Sequence, residues 1–122
     1  MRQKPVDIGN TVRRNLITFR RTGSPVAPAS EHDAGNGAAM RVLPAALATF
    51  AQAEAEVRAA VQAQAHVTHN SRVSDAVCEF LALAVQDLLR GGTLRELLAQ
   101  RIEPLLVAHP ELSFRHRPRR EN

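Results

Sequence analysis

Between Ser71 and Gly92 the chain carries its strongest helical pattern, and that pattern limits the folds open to it. Val73, Val77, Phe80, Leu81, Ala84 and Leu88 recur at the three- and four-residue spacing that gathers side chains on one face of a helix. Ser71 stands where an N-cap hydroxyl accepts from an orphan backbone N–H, and Gly91-Gly92 suit the turn that closes a helix. Such a face must be buried against something, and the composition says what. With four Phe, no Trp and no Tyr beside many alanines, the core has to be built from Leu, Val and Ala packed at close helix distances. The expected fold class is all-α. A chain of 122 residues, 44% apolar and 23% charged, has the balance of one globular domain.

The neighbouring segments predict five or so helices. Asp7 to Arg21 repeats Val12, Leu16 and Phe19 at helical spacing, with Asp7 or Asn10 as N-cap and Gly23 just past the end. Ala38 to Phe50 carries Met40, Leu43, Leu47 and Phe50, with a kink expected at Pro44, which lacks the N–H for the carbonyl four residues back. Ala53 to Val67 has a stripe through Val57, Val61 and Ala65, and Glu54 and Glu56 suit the dipole of its first turn. Thr93-Leu94-Arg95-Glu96 has the spacing of a capping box and opens a helix through Leu94, Leu97, Leu98 and Ile102, bounded by Pro104 and Pro110. Residues 1–112 read as the domain. From 113 to 122 the chain has no stripe and little to bury, which predicts a disordered basic tail.

The formal charge of +4 is concentrated at the two ends, in Arg13, Arg14, Arg20 and Arg21 and again in Arg115, Arg117, Arg119 and Arg120. A small basic helical protein binding nucleic acid is therefore an alternative reading, the weaker one, since the middle of the chain is close to balanced. One cysteine, Cys78, excludes an intramolecular disulfide and reads as a buried thiol. No apolar run approaches the length of a membrane span, so no membrane partner is expected and the expected location is cytoplasmic.

Candidate chemistry gathers at three places. Thr22 to Gly37 is a long loop with Pro25, Pro28 and glycines and no periodicity, and loops of that length tend to be functional. It ends in Ala34-Gly35-Asn36-Gly37-Ala38-Ala39-Met40-Arg41. A Gly-Asn-Gly turn permits φ > 0 and close backbone approach, and a following helix aims N–H groups at the same place, an arrangement welcoming to an anion; turn geometry alone is the plainer explanation. Asp7 and Asn10, three apart at a helix start, can face one side as proton carrier and hydroxyl partner, or can serve only as caps. His69, in Thr68-His69-Asn70 between two helices, can donate to a phosphate or simply fill an inter-helix position. His66 and His69 share an i, i+3 spacing with no Glu, Asp or Cys beside them in sequence to complete a metal set. Ser71, Ser74 and Ser113 lack the context of a nucleophile.

Asp7-Ile8-Gly9-Asn10-Thr11, then Gly35-Asn36-Gly37-Ala38-Ala39-Met40-Arg41, then Thr68-His69-Asn70 with Ser74-Asp75-Ala76, occur in an order and spacing that resembles the ADP-ribosylglycohydrolases. The resemblance covers roughly residues 4 to 112. It implies an all-α fold around a cleft with two divalent cations, Mg or Mn, and hydrolysis of the N-glycosidic bond between ADP-ribose and a protein arginine. The implied partners are ADP-ribose and an ADP-ribosylated protein, dinitrogenase reductase being one candidate. By the same resemblance Asp7 faces the scissile ribose and handles protons, Asn10 hydrogen-bonds that ribose, Gly35, Asn36 and Gly37 line the cleft near the pyrophosphate, and His69 donates to the diphosphate.

The departures from the family are equally specific. Its metal pair is held by an upstream Thr-Asp-Asp motif and a downstream Asp-x-Asp-Thr motif, and neither occurs in this chain. The expectation is a central fragment that carries substrate-side residues, binds no metal by itself and is inactive alone, from a truncated or frameshifted reading frame. A stand-alone ADP-ribose-binding module is the alternative. Helix faces that would pack on absent segments predict marginal stability or association.

Overall fold

The computed structural model describes residues 9–30 and 35–113, and these are helical with no strand among them. The order is α1 (Asn10–Thr22), α2 (Gly37–Met40), α3 (Leu43–Ala48), α4 (Glu54–His66), α5 (Arg72–Leu89), α6 (Leu94–Leu97), a π-helical stretch Leu98–Ile102, α7 (Glu103–Ala108) and a 3₁₀ turn Pro110–Leu112. Asp7 and residues 114–122 lie outside the described residues, so the expectations for that side chain and for the basic tail fall outside them too.

The core is the junction of α2, α3, α4 and α5. Ala38, Val42 and Ala46 meet Val57, Val61 and Ala65 of α4 and Cys78, Ala82 and Leu83 of α5. The expected α4 stripe is the buried one, residue for residue. Elsewhere the burial is rotated. On α5 the line Ser74, Cys78, Ala82 and Gln86 is buried, while Val73, Val77, Phe80 and Leu81 are half-buried and Leu88 is exposed. Small residues at i, i+4 let two helices approach, and the larger apolar residues flank the seam. Likewise Met40, Leu43 and Leu47, the expected stripe of the second helix, face outward at 78%, 50% and 52% exposure. Leu16 and Phe19 of α1 are also exposed, whereas Asn15 is buried.

Capping follows local chemistry. Ser71 Oγ accepts from Ser74 N–H at 3.1 Å. Gly23 closes α1 in the left-handed region, φ 71°, donating its N–H to Phe19 O. Thr93 Oγ1 accepts from Glu96 N–H at 3.2 Å, but the Glu96 carboxylate takes up the Thr93 hydroxyl at 3.1 Å, so only half of the expected capping box forms. Asn10 is not a cap: extended Gly9 holds that position and Asn10 opens the first turn. Pro44 divides the second helix outright. α2 ends with 3.3 Å bonds of the tighter 3₁₀ kind, and Pro44 falls in the first turn of α3, where no N–H is required of it. Pro104 does not end the last helix as its sequence position suggests. The π stretch widens the turn ahead of it, relieving the clash with the carbonyl four residues back, and α7 continues beyond.

Ion pairs fasten this C-terminal part to the core. Arg101 donates to Asp87 at 2.7 Å and to Glu54 at 2.6 Å, and Arg58 bridges Glu54 at 3.1 Å and Glu79 at 2.9 Å. Hydrogen bonding from Arg101 holds the Glu54 carboxyl below the usual carboxylate pKa.

Candidate functional site

The connection from α4 to α5 is the hub of the candidate site. After His66 the chain tightens, and the N–H groups of Thr68 and His69 both donate to Ala65 O, at 3.1 and 2.7 Å. The turn carries Thr68 and His69 into the interior, where they are 3% and 2% exposed. The Pro/Gly loop is stitched along this connection. Ala27 N–H donates to His66 O at 2.7 Å, Ser30 N–H to Asn70 O at 2.9 Å, and Asn70 Nδ2 returns a bond to Ala27 O at 2.8 Å. Helix α1 is tied to the same place, since buried Asn15 donates from Nδ2 to Thr68 O.

Gly35 and Gly37 lie against the His69 imidazole. A Cβ at Gly37 would stand 2.7 Å from His69 Cε1 and 3.2 Å from Nε2, and one at Gly35 would stand 3.6 Å from Nε2. The described glycines with positive φ are Gly23 and Gly91, so a left-handed turn is not what requires glycine at 35 or 37. At Gly37 the requirement is room for the imidazole. The expected helix dipole behind the loop is also small, because α2 is a single turn.

A relay of hydrogen bonds backs the histidine. Arg41, just past α2, donates from Nε to Gln64 Oε1 at 3.0 Å and from Nη2 to Gln64 O at 2.8 Å and Thr68 Oγ1 at 2.6 Å. Thr68 Oγ1 lies 2.8 Å from His69 Nδ1. Gln64 Nε2 donates to Ala38 O at 3.2 Å, so the amide orientation follows from its neighbours: a guanidinium only donates and a carbonyl only accepts. Burial lowers the Arg41 pKa from its ordinary value, yet the group stays a cation at any working pH.

Of the residues singled out by sequence, Gly35, Gly37 and His69 are brought together. Asn36, between the glycines, is exposed. Asn10 is exposed on the first turn of α1, five residues and about 7.5 Å of helix rise from the Asn15 anchor. Sequence reasoning missed Asn15, Arg41 and Thr68 as supports. Asn15 did carry a signal, a polar residue set between Val12 and Phe19 on the apolar stripe. His66 and His69 do not converge on a common ligand, since His66 Nε2 bonds Asp75 at 2.8 and 3.0 Å while His69 Nδ1 faces Thr68.

The cation pair implied by the resemblance does not fit the described residues. Hard divalent cations need several oxygen ligands in one place, and among the described residues no three His, Cys, Asp or Glu gather. Asp75 is engaged by His66, Asp87 by Arg101 and Glu79 by Arg58. Clefts of 230 and 260 Å³ open elsewhere, between α5 and α7 and at the Gly91-Gly92 turn, and neither is lined by the candidate residues. No helix of the described residues is long and apolar enough to cross a membrane.

Comparison with known proteins bears on the kinship of the chain. The sequence model of a family described as ADP-ribosylglycohydrolase matches residues 1–117. A curated protein, the ADP-ribosyl-[dinitrogen reductase] glycohydrolase of Rhodospirillum rubrum, is 44% identical over 118 residues, which make up 97% of this chain and 39% of that protein. The chain thus spans about two fifths of the length of that relative.

Proposed function

The chain belongs to the ADP-ribosylglycohydrolase family, and from that premise we propose that it carries the substrate-binding side of an enzyme that removes ADP-ribose from a modified protein arginine. The observation that carries this reading is the packing of Gly35 and Gly37 on His69, which joins two of the family-like motifs in one place. In this reading the backbone of Gly35, Asn36 and Gly37 lines the pyrophosphate end of the cleft, with His69 beneath it. Donation from His69 to the diphosphate passes at the two glycines, where an added Cβ would stand 3.6 Å from Nε2 at Gly35 and 3.2 Å at Gly37. Asn10 hydrogen-bonds the ribose, and Asp7 handles protons at the anomeric carbon. The acceptor protein is dinitrogenase reductase or another ADP-ribosylated protein, and the first would place the activity in the regulation of nitrogen fixation.

Two divalent cations belong to the complete family site, where they supply Lewis-acid chemistry. Asp75, Glu79 and Asp87 are engaged in ion pairs and no three described His, Cys, Asp or Glu gather, so the cation-binding half is assigned to other polypeptide. The chain alone then binds ADP-ribose without releasing it from arginine. Isothermal titration calorimetry of the chain with ADP-ribose tests the binding. Saturable heat that falls at least tenfold in affinity in His69→Ala is expected, and no heat at millimolar ligand refutes the reading. Release of ADP-ribose from ADP-ribosyl-arginine by the chain alone would refute the assignment of the second half elsewhere.

A further inference from the structure

We infer that Arg41 and Thr68 are positioning residues that hold His69 as a single neutral tautomer, with its proton on Nε2, the ring edge that faces Gly35 and Gly37. The inference rests on hydrogen-bond inventory. Thr68 Oγ1 is one hydroxyl, with one proton to donate and two lone pairs to accept. Arg41 Nη2, which can only donate, takes one lone pair at 2.6 Å. The other contact of that oxygen among the described residues is His69 Nδ1 at 2.8 Å. Thr68 is 3% exposed, so its proton has no bulk water to turn to. If Nδ1 carried the imidazole proton, the oxygen would accept from both neighbours and its own O–H would be buried without an acceptor, an arrangement that buried polar groups avoid. With the hydroxyl donating to Nδ1, the Thr68 hydroxyl, the Arg41 N–H and Nδ1 are all satisfied, and the imidazole proton sits on Nε2.

The relay also fixes where the ring stands. Arg41 is itself held by Gln64 Oε1 at 3.0 Å and Gln64 O at 2.8 Å, and Gln64 is held by Ala38 O at 3.2 Å. The last turn of α4 and the turn after Gly37 therefore jointly orient the hydroxyl that orients the imidazole. The functional consequence deepens the ADP-ribose reading and depends on it: a histidine that serves a diphosphate from Nε2 needs its proton on that nitrogen, and Arg41 and Thr68 supply this without touching the ligand. Arg41 follows directly on the Gly-Asn-Gly-Ala-Ala-Met run, so the loop and the device that prepares its histidine are one continuous stretch of sequence.

The test reads the tautomer without any ligand. The full chain, labelled with 15N-histidine, is examined by long-range 1H–15N correlation near pH 8.5, about two pH units above the ordinary imidazole pKa. Of the five histidines, His69 is the one whose signals vanish in His69→Gln. The expected spectrum shows a protonated Nε2 and an unprotonated Nδ1. In Thr68→Val, which keeps the shape and loses the hydroxyl, the two nitrogen shifts move towards each other, and in Thr68→Ser they return to the wild-type values. A wild-type spectrum with the proton on Nδ1, or with both nitrogens averaged, overturns the inference, and it decides the matter even where Thr68→Val fails to fold. A folded Thr68→Val with an unchanged spectrum overturns it as well. By calorimetry, ADP-ribose affinity falls about fivefold in Thr68→Val, the loss of one ordinary hydrogen bond, and is regained in Thr68→Ser. Should wild type bind no ADP-ribose, the functional reading falls while the tautomer is still read from the spectrum.

Discussion

Substituting Gly37 with alanine tests the packing on which the site depends. The added Cβ would lie 2.7 Å from His69 Cε1. Reaching an ordinary carbon–carbon separation of about 3.5 Å requires the pair to part by about 0.8 Å. The imidazole has little freedom to yield, being 2% exposed and held at Nδ1 by Thr68 at 2.8 Å. A shift of that size takes the bond past the usual hydrogen-bonding range. Overpacking contributes about 1–3 kcal/mol and the weakened bond about 1 kcal/mol, offset by up to about 1 kcal/mol from better helix propensity at the start of α2. The net loss is about 2 kcal/mol, a factor of roughly thirty in the folded-to-unfolded ratio. In urea, with an m-value of about 1.5 kcal/mol/M, the midpoint should fall by roughly 1 M. Gly35→Ala is the internal control, because its Cβ meets Nε2 at an ordinary 3.6 Å and should change the midpoint little. A double-mutant cycle with His69→Ala completes the assay, and there the Gly37→Ala penalty should disappear. Gly37→Ala as stable as wild type, or equally harmful without the imidazole, would show that the clash is not what keeps glycine at this position.

Three further outcomes follow from the packing. Gln86, 1% exposed, donates to Ala46 O at 2.9 Å and contacts Thr49 Oγ1 at 3.3 Å, so Gln86→Leu should lose about 1–3 kcal/mol by leaving that carbonyl buried without a donor, measured by urea denaturation; a neutral result would mean the carbonyl finds another partner. Outward-facing Met40, Leu43 and Leu47 should make the chain associate with rising concentration in sedimentation experiments, and replacing all three with Lys should abolish association while leaving the helical circular dichroism unchanged; sedimentation that does not depend on concentration counts against this. The Glu54 carboxyl has its pKa depressed by Arg101, so its ionised form contributes stability above the unfolded value near 4.5, and that contribution is lost as pH falls through the lower folded value. Denaturation midpoints measured from pH 6 down to 3 should drop more steeply in wild type than in Glu54→Gln, and parallel profiles would remove Glu54 from the account.

Much of the architecture was legible from local chemistry. The α4 stripe, the Ser71 cap, the Gly23 closure and the stop at Gly91-Gly92 are settled by a few neighbouring residues, and they stand where spacing places them. The stripes that came out rotated, Leu16 and Phe19, Met40 to Leu47, and Val73 to Leu88, share a cause. Periodicity shows that a helix has an apolar side but not which side meets which neighbour. In this chain α2–α5 meet along their smallest residues, Ala38, Ala46, Cys78 and Ala82, because close approach excludes larger ones from the seam.

The candidate site divides in the same way. Residue types and spacing picked out Gly35, Asn36, Gly37 and His69 and carried the family resemblance that the comparisons then bore out. What sequence alone determined was therefore the helical class, most of the boundaries and the kinship, all of which depend on residues close together in the chain. Only the tertiary structure decided why Gly37 has to be glycine, which side of each helix is covered, and that Arg41, Thr68 and Asn15 support His69 and its turn. Those answers depend on contacts between residues far apart in the chain, 27 positions from Arg41 to Thr68 and 53 from Asn15 to Thr68, and no local pattern encodes such a distance.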